Sequence, residues 1–135
     1  MATVRRQIII DRPADEVYAV FADPLTIADW FPGVAAATVE GNVRTITTES
    51  GLPMAEEIVT NDSIQRRFQY RLAPGFIQDH LGTIDVFDLG DGRSLVGYAT
   101  DCEPPALALM IGGATGNALK EFRRRLEHTT KKASA

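Results

Sequence analysis

The sequence contains a single cysteine, Cys102, and only two histidines, His80 and His128. No intramolecular disulfide can close, and thiols and imidazoles are too few for a structural zinc site, so neither a metal nor an oxidising compartment is expected. A cytoplasmic location fits best. A basic surplus is also missing: 14 Lys and Arg stand against 18 Asp and Glu, a formal net charge of -4. Affinity built on neutralising backbone phosphates needs the opposite balance, so no nucleic-acid partner is expected. Long apolar runs are scarce. Near the start only Ile8-Ile9-Ile10 run together, too short for the core of a secretory leader, and no later run is long enough to span a bilayer, so no membrane partner is expected. Without that secretory route, the formal glycosylation acceptor Asn61-Asp62-Ser63 has no use. A phosphate-cradling loop is lacking too. Gly112-Gly113-Ala114-Thr115-Gly116 has neither the Gly-Lys-Ser/Thr ending nor a preceding strand, so no nucleotide or other cofactor is expected.

What remains is ordinary globular composition: 135 residues, 44% hydrophobic and 24% charged, the size of one domain with one core spanning 1–135. No linker or repeat interrupts it, and the only polar tail is 129–135. Residues 4–10 alternate and then run apolar, a strand stopped at Pro13. Asp11 is placed to cap a short helix carrying Val17, Tyr18, Val20 and Phe21 at helical spacing. Asp23-Pro24 breaks that helix, and a second short one through Ile27, Trp30 and Phe31 ends at Pro32-Gly33. Residues 36–40, 43–48, 52–60, 64–72, 80–88 and 93–101 then read as an antiparallel meander, with turns at 41–42, 49–51, 61–63, 73–79 and 90–92. After Pro104-Pro105 the spacing predicts a long amphipathic helix to about His128, with Leu107, Ile111, Ala114, Ala118, Phe122 and Leu126 along its buried side.

Side chains alternate along strands, so the short turns predict which residues share a face. Folding about 49–51 sets Arg44 opposite Glu56 and Ile46 opposite Met54, with Ile58 next along. Folding about 90–92 sets Val86 against Val96, Ile84 against Tyr98, Gly82 against Thr100 and His80 against Cys102. The same parity brings Phe68, Tyr70 and Leu72 to that inner face. The covering helix is short of bulk at Gly112, Gly113, Ala114, Gly116 and Ala118, at about 1 kcal/mol per interior glycine in helix propensity. Two accounts fit: a ligand cavity beneath a pliable helix, or close packing of helix on sheet.

This order of elements resembles the START-related SRPBCC superfamily, and within it the polyketide cyclase/dehydrase-like branch. The likeness is carried by Ile8-Ile9-Ile10-Asp11-Arg12-Pro13-Ala14-Asp15-Glu16-Val17-Tyr18, by Asp23-Pro24 with Trp30-Phe31-Pro32, by Val43-Arg44-Thr45 and Glu56, and by the helix from Leu119 to Leu126. It implies an α+β helix-grip fold: a seven-stranded curved antiparallel sheet wrapped around a long C-terminal helix, with two short helices after the first strand. It also implies a deep cavity for hydrophobic small molecules. His80 stands where many relatives carry an aromatic.

Arg44 and Glu56, two charges on an apolar face, should hydrogen-bond to each other or to a ligand. The plainer account is an ion pair that fixes strand register; in a catalytic pocket Glu56 would accept a proton, with Arg44 tuning it or holding a ligand oxyanion. His80 has Asp79 beside it but pointing the other way. With Tyr98 and Tyr70 it could move protons and polarise a carbonyl in cyclisation or dehydration, although a lone histidine near a strand end is more often structural. Cys102 reads as a small buried apolar group. The expected ligand wall is Ile46, Met54, Ile58, Phe68, Tyr70, Ile84 and Thr100 from the sheet and Ile111 and Ala114 from the helix. Trp30, Phe31, Phe76 and Ile77 would ring the mouth, Phe76 and Ile77 forming a lid; core capping is the plainer role for Trp30 and Phe31. The leading function is binding of an aromatic or lipid-like small molecule. The alternative is a cyclase or dehydratase using His80, Glu56, Tyr98 and Arg44, and a third class is a homodimerising module with a filled interior.

Overall fold

The structure, a computed structural model, describes residues 2–73 and 78–134. In chain order it comprises β1 (Ala2–Ile10), α1 (Ala14–Ala22), a 3-10 turn (Pro24–Thr26), α2 (Ile27–Trp30), β2 (Val34–Glu40), β3 (Val43–Thr48), β4 (Pro53–Asp62), β5 (Arg67–Leu72), β6 (Gln78–Asp88), β7 (Ser94–Glu103) and α3 (Pro105–Ser134). The strands form one antiparallel sheet in the order β1-β7-β6-β5-β4-β3-β2. This is the helix-grip α+β fold. Consecutive strands from β2 to β7 are neighbours because their turns are short, while β1 reaches β7 by the long return through the helices.

The register confirms the inner face. Arg44 lies opposite Glu56 and Ile46 opposite Met54. On the last hairpin Val86 faces Val96, Ile84 faces Tyr98 and Gly82 faces Thr100. One pairing fails. A bulge between Gln78 and Leu81 breaks the register where His80 should meet Cys102, and Asp79 takes φ 52 there. Both His80 and Cys102 are nevertheless buried.

Local chemistry moves three other boundaries. The turn expected at 61–63 falls at 63–66, because the Asp62 carboxylate accepts the Ile64 and Gln65 N–H groups and Arg66 adopts φ 56. Ile64, expected to begin a strand, is 91% exposed in that turn. Asp11 does not cap α1: extended Pro13 occupies the cap position, and the Asp11 N–H donates to Glu127 instead. Helix α3 runs on through the expected polar tail to Ser134.

Helix α3 packs against β1 and β7. Its buried stripe is Ala108, Gly112, Thr115, Ala118, Leu119 and Phe122; Ala118 and Phe122 are as expected, while the N-terminal half is turned from the expected Leu107, Ile111 and Ala114. Gly112 sets this rotation. A Cβ there would stand 2.3 Å from Cγ1 of Val4, so only glycine lets the helix approach β1 so closely. Gly113 has open space around its missing Cβ. Close packing therefore accounts for Gly112, and the rotation leaves Ile111 and Ala114 beside the part of the curved sheet that α3 does not fill.

Candidate functional site

A cavity of about 480 Å³ occupies that gap, within the usual range for small-molecule sites. Its rim is formed by Pro32 and Gly33 after α2 and by Glu49 and Ser50 between β3 and β4. These two loops are tied together by the Glu49 N–H donating to the Gly33 carbonyl at 2.9 Å. The apolar wall comes from Ile46 on β3, Met54 on β4, Leu72 on β5, and Ile111 and Ala114 on α3. Alternation aims the sheet residues inward, so the same parity that builds the core lines the cavity. At its buried end stand Glu56, Tyr70 and His80.

Glu56 Oε1 accepts from Arg44 Nε at 2.8 Å, and both side chains are 3–4% exposed. Arg44 also donates from Nη1 to the Pro24 carbonyl at 3.2 Å, and its guanidinium lies 5.4 Å from the Phe68 ring centre and 5.3 Å from that of Tyr70. The pair is thus a braced structural unit with one face on the cavity. Burial pushes the Glu56 carboxyl above its usual value near 4.5, against the pull of Arg44. A carboxyl in this state can exchange a proton nearer neutral pH than an exposed one.

Tyr70 and Tyr98 share a hydrogen bond between their hydroxyls. Burial first, then in Tyr70 the charge of Glu56, raises that phenol; Tyr98 is raised chiefly by burial. Both stay protonated. A Cβ at Gly82 would stand 2.5 Å from the Tyr70 ring, so glycine on β6 is what lets this ring lie across the sheet.

His80 Nδ1 accepts the Leu72 N–H at 3.1 Å. Burial lowers its pKa from 6.5 to about 4, with Asp101 opposing. The imidazole is therefore neutral near pH 7 and its hydrogen sits on Nε2. At that pH it offers a hydrogen-bond donor to the cavity. A test follows from linkage. Between pH 6.5 and about 4 the unfolded chain takes up a proton that folded His80 refuses, so stability falls as pH falls through that window. In urea unfolding, His80→Gln should remove on the order of 2–3 kcal/mol of that decline relative to wild type. Parallel stability curves for the two proteins from pH 7 to pH 4 would contradict this assignment.

Cys102 is free and fully buried, and burial followed by the charges of Glu103 and Asp101 raises its thiol, which fits a packing role. Among the described residues, no three His, Cys, Asp or Glu side chains converge to hold a metal ion. Among them also, no helix is long and apolar enough to cross a membrane.

The sequence pattern of the family described as polyketide cyclase / dehydrase and lipid transport matches residues 1–133. The chain belongs to this family. No curated protein matches it. Among solved structures, an uncharacterised protein from Bacillus thuringiensis superposes with a TM-score of 0.84 at 19% identity, covering 92% of this chain and 98% of that one. The Zhui aromatase/cyclase from Streptomyces sp. R1128 gives 0.72 at 22% identity, covering 93% and 95%. Norcoclaurine synthase from Thalictrum flavum, solved with dopamine and hydroxybenzaldehyde, gives 0.74 at 14% identity, covering 94% and 87%. At these identities the likeness is one of fold.

For this family member the expected site divides in two. Glu56, His80, Ile46, Met54, Tyr70, Ile111 and Ala114 do line the cavity, whereas Arg44 and Tyr98 stand behind Glu56 and Tyr70 as their partners. Trp30 is not at the mouth: it is 4% exposed, edge-on to Phe21 and Phe122, as core capping requires. Ile58, Phe68, Ile84 and Thr100 are also off this wall. Phe68 lies under Arg44, Ile84 is buried between Phe68 and Tyr98 in the sheet, and Ile58 packs on the core opposite Tyr70. Thr100 is fully buried, with an Oγ1 that has no hydrogen-bond partner among the described residues. Phe76 and Ile77, the expected lid, lie outside the described residues. Sequence reasoning missed Ile27, Val34 and Thr48 on the wall and the loop residues of the rim. Its turns at 32–33 and 49–51 were the available signal, but the bond joining them is non-local.

Proposed function

We propose that this chain binds a hydrophobic small molecule, aromatic or lipid-like, in the cavity between its sheet and α3. The observation that carries this reading is the cavity's composition: Ile27, Val34, Ile46, Met54, Leu72 and Ile111 dominate the wall, and apart from Thr48 its polar side chains stand at the buried end and the rim. Family membership supports it, because the family description joins cyclases and dehydrases with lipid transport. A cytoplasmic location belongs to the same reading, supported by the free thiol of Cys102.

A second reading, a polyketide cyclase or dehydratase, is favoured by one observation: Glu56 faces the cavity with a raised pKa and a fixed cationic partner. In that reading Glu56 takes the proton, Arg44 tunes it, and the neutral His80 polarises a carbonyl.

Native mass spectrometry of freshly purified protein is expected to show one small molecule bound per chain, lost on denaturation. An empty protein that also fails to take up fatty acids or naphthalene derivatives would overturn the binding role. Turnover of a polyketide mimic, abolished in Glu56→Gln while binding persists, would instead establish the enzyme; binding with no product from wild type would remove it.

A further inference from the structure

Strand β5 lies between β4 and β6, and Leu72 at its end connects the two polar groups of the cavity. Leu72 pairs with Glu56 on one side. On the other, its N–H donates to His80 Nδ1 at 3.1 Å. A nitrogen that accepts from a backbone N–H carries no hydrogen of its own, so neutral His80 holds its hydrogen on Nε2. Among the described residues no hydrogen bond engages that Nε2–H. Glu56 is the complement: Oε1 is committed to Arg44 Nε at 2.8 Å, while Oε2 has no hydrogen bond among the described residues. Both side chains line the same cavity. With Glu56 ionised beside Arg44, the buried end therefore presents one donor and one acceptor, on strands whose backbones stand roughly 10 Å apart.

We propose that the cavity selects an apolar frame bearing a carbonyl, received by His80 Nε2–H, and a hydroxyl across the frame, received by the ionised Glu56. While Glu56 is ionised, neither group exchanges its role with the other. The backbone N–H of Leu72 keeps His80 from presenting Nδ1–H, and Arg44 requires an oxygen from Glu56. An aliphatic chain ending in a carboxylate fits poorly, since its anion would face the Glu56 carboxyl. The inference rests on the cavity-binding reading and adds the polar pattern of the ligand.

The test uses naphthalene probes by isothermal titration: an acetylnaphthol with its two groups on opposite rings, the acetylnaphthalene and naphthol that each lack one group, and ethylnaphthalene as the bare frame. Wild type should bind the acetylnaphthol at least about tenfold more tightly than ethylnaphthalene, one well-made hydrogen bond being worth about that factor. His80→Phe should abolish the gain from the acetyl group alone. Glu56→Gln should abolish the gain from the hydroxyl alone, because Arg44 holds the amide oxygen and turns the NH2 toward the cavity. Nitrogen NMR of wild type, which needs no variant to fold, should show His80 as the Nε2–H tautomer throughout pH 6 to 8.

Ethylnaphthalene binding with no further gain from either polar group would overturn this pattern while leaving the cavity's binding role standing. Failure of every probe to bind would overturn both. An Nδ1–H tautomer, or equal loss of all probes in both variants, would also sink the assignment.

Discussion

Replacing Arg44 by methionine is expected to destabilise the fold by about 3–5 kcal/mol near neutral pH, the usual consequence of leaving a buried charge without its partner. Arg44 and Glu56 are each only 3% exposed, so water cannot take over the role of the lost guanidinium. The loss should also depend on pH in a defined direction. Glu56 already has a folded-state pKa above its usual value, and Arg44 is what holds it down, so removing Arg44 raises it further. A group with a raised folded pKa contributes fully below its unfolded value near 4.5, and that contribution is lost as pH rises through the folded value. The gap between wild type and Arg44→Met should therefore be small at pH 5 and widen toward pH 8 in urea unfolding.

The double variant Arg44→Met with Glu56→Leu separates charge from packing. Removing both charges leaves nothing uncompensated, and stability should return to within about 1 kcal/mol of wild type. A loss in Arg44→Met that is constant with pH and unrelieved in the double variant would give a different answer: Arg44 would then act through its contacts with Phe68 and Tyr70. In either case the pair is a costly arrangement beside an otherwise apolar wall. Retaining it is understandable if the cavity needs a carboxyl held at one position with one oxygen free.

The legible part of this fold is the part governed by short-range periodicity. Arg44 opposite Glu56 follows from the turn at 49–51 and a period of two, and nothing between them disturbs the count. The same arithmetic fails at His80, where a bulge between Gln78 and Leu81 shifts the register, and a bulge leaves little trace in alternation. Helix periodicity located α3 but missed its rotation, because the contact that sets it, Gly112 on Val4, joins the two ends of the chain. The tail after His128 is polar enough to read as loose, yet α3 continues through it. In the site, residue types singled out Glu56 and His80, but tautomer and free oxygen depend on the Leu72 N–H and Arg44 Nε, which only coordinates supply. Trp30 shows the converse limit: its size suits a mouth or a core equally, and its ring partners decide.

Those ring partners make the second large prediction. Phe122 is 2% exposed, stacked on Phe21 at 4.3 Å between centres and edge-on to Trp30 at 5.6 Å. One ring on α3 thus holds α1 and α2 together, and Phe122→Ala should cost about 3–5 kcal/mol through lost contacts and the void left behind. Leu109→Ala on the same helix, at a side chain 67% exposed, should stay within about 0.5 kcal/mol of wild type. Helix α2 also carries Ile27 of the cavity wall and leads into Phe31, Pro32 and Gly33 at its mouth. Loosening the ring cluster should therefore weaken binding of a naphthalene probe as well, although Phe122 is not among the cavity's lining residues. If Phe122→Ala lost less than about 1 kcal/mol, the three rings would not be the joint between these helices. If it lost stability but kept full probe affinity, the cavity mouth would be held by the bond from Glu49 to Gly33 alone.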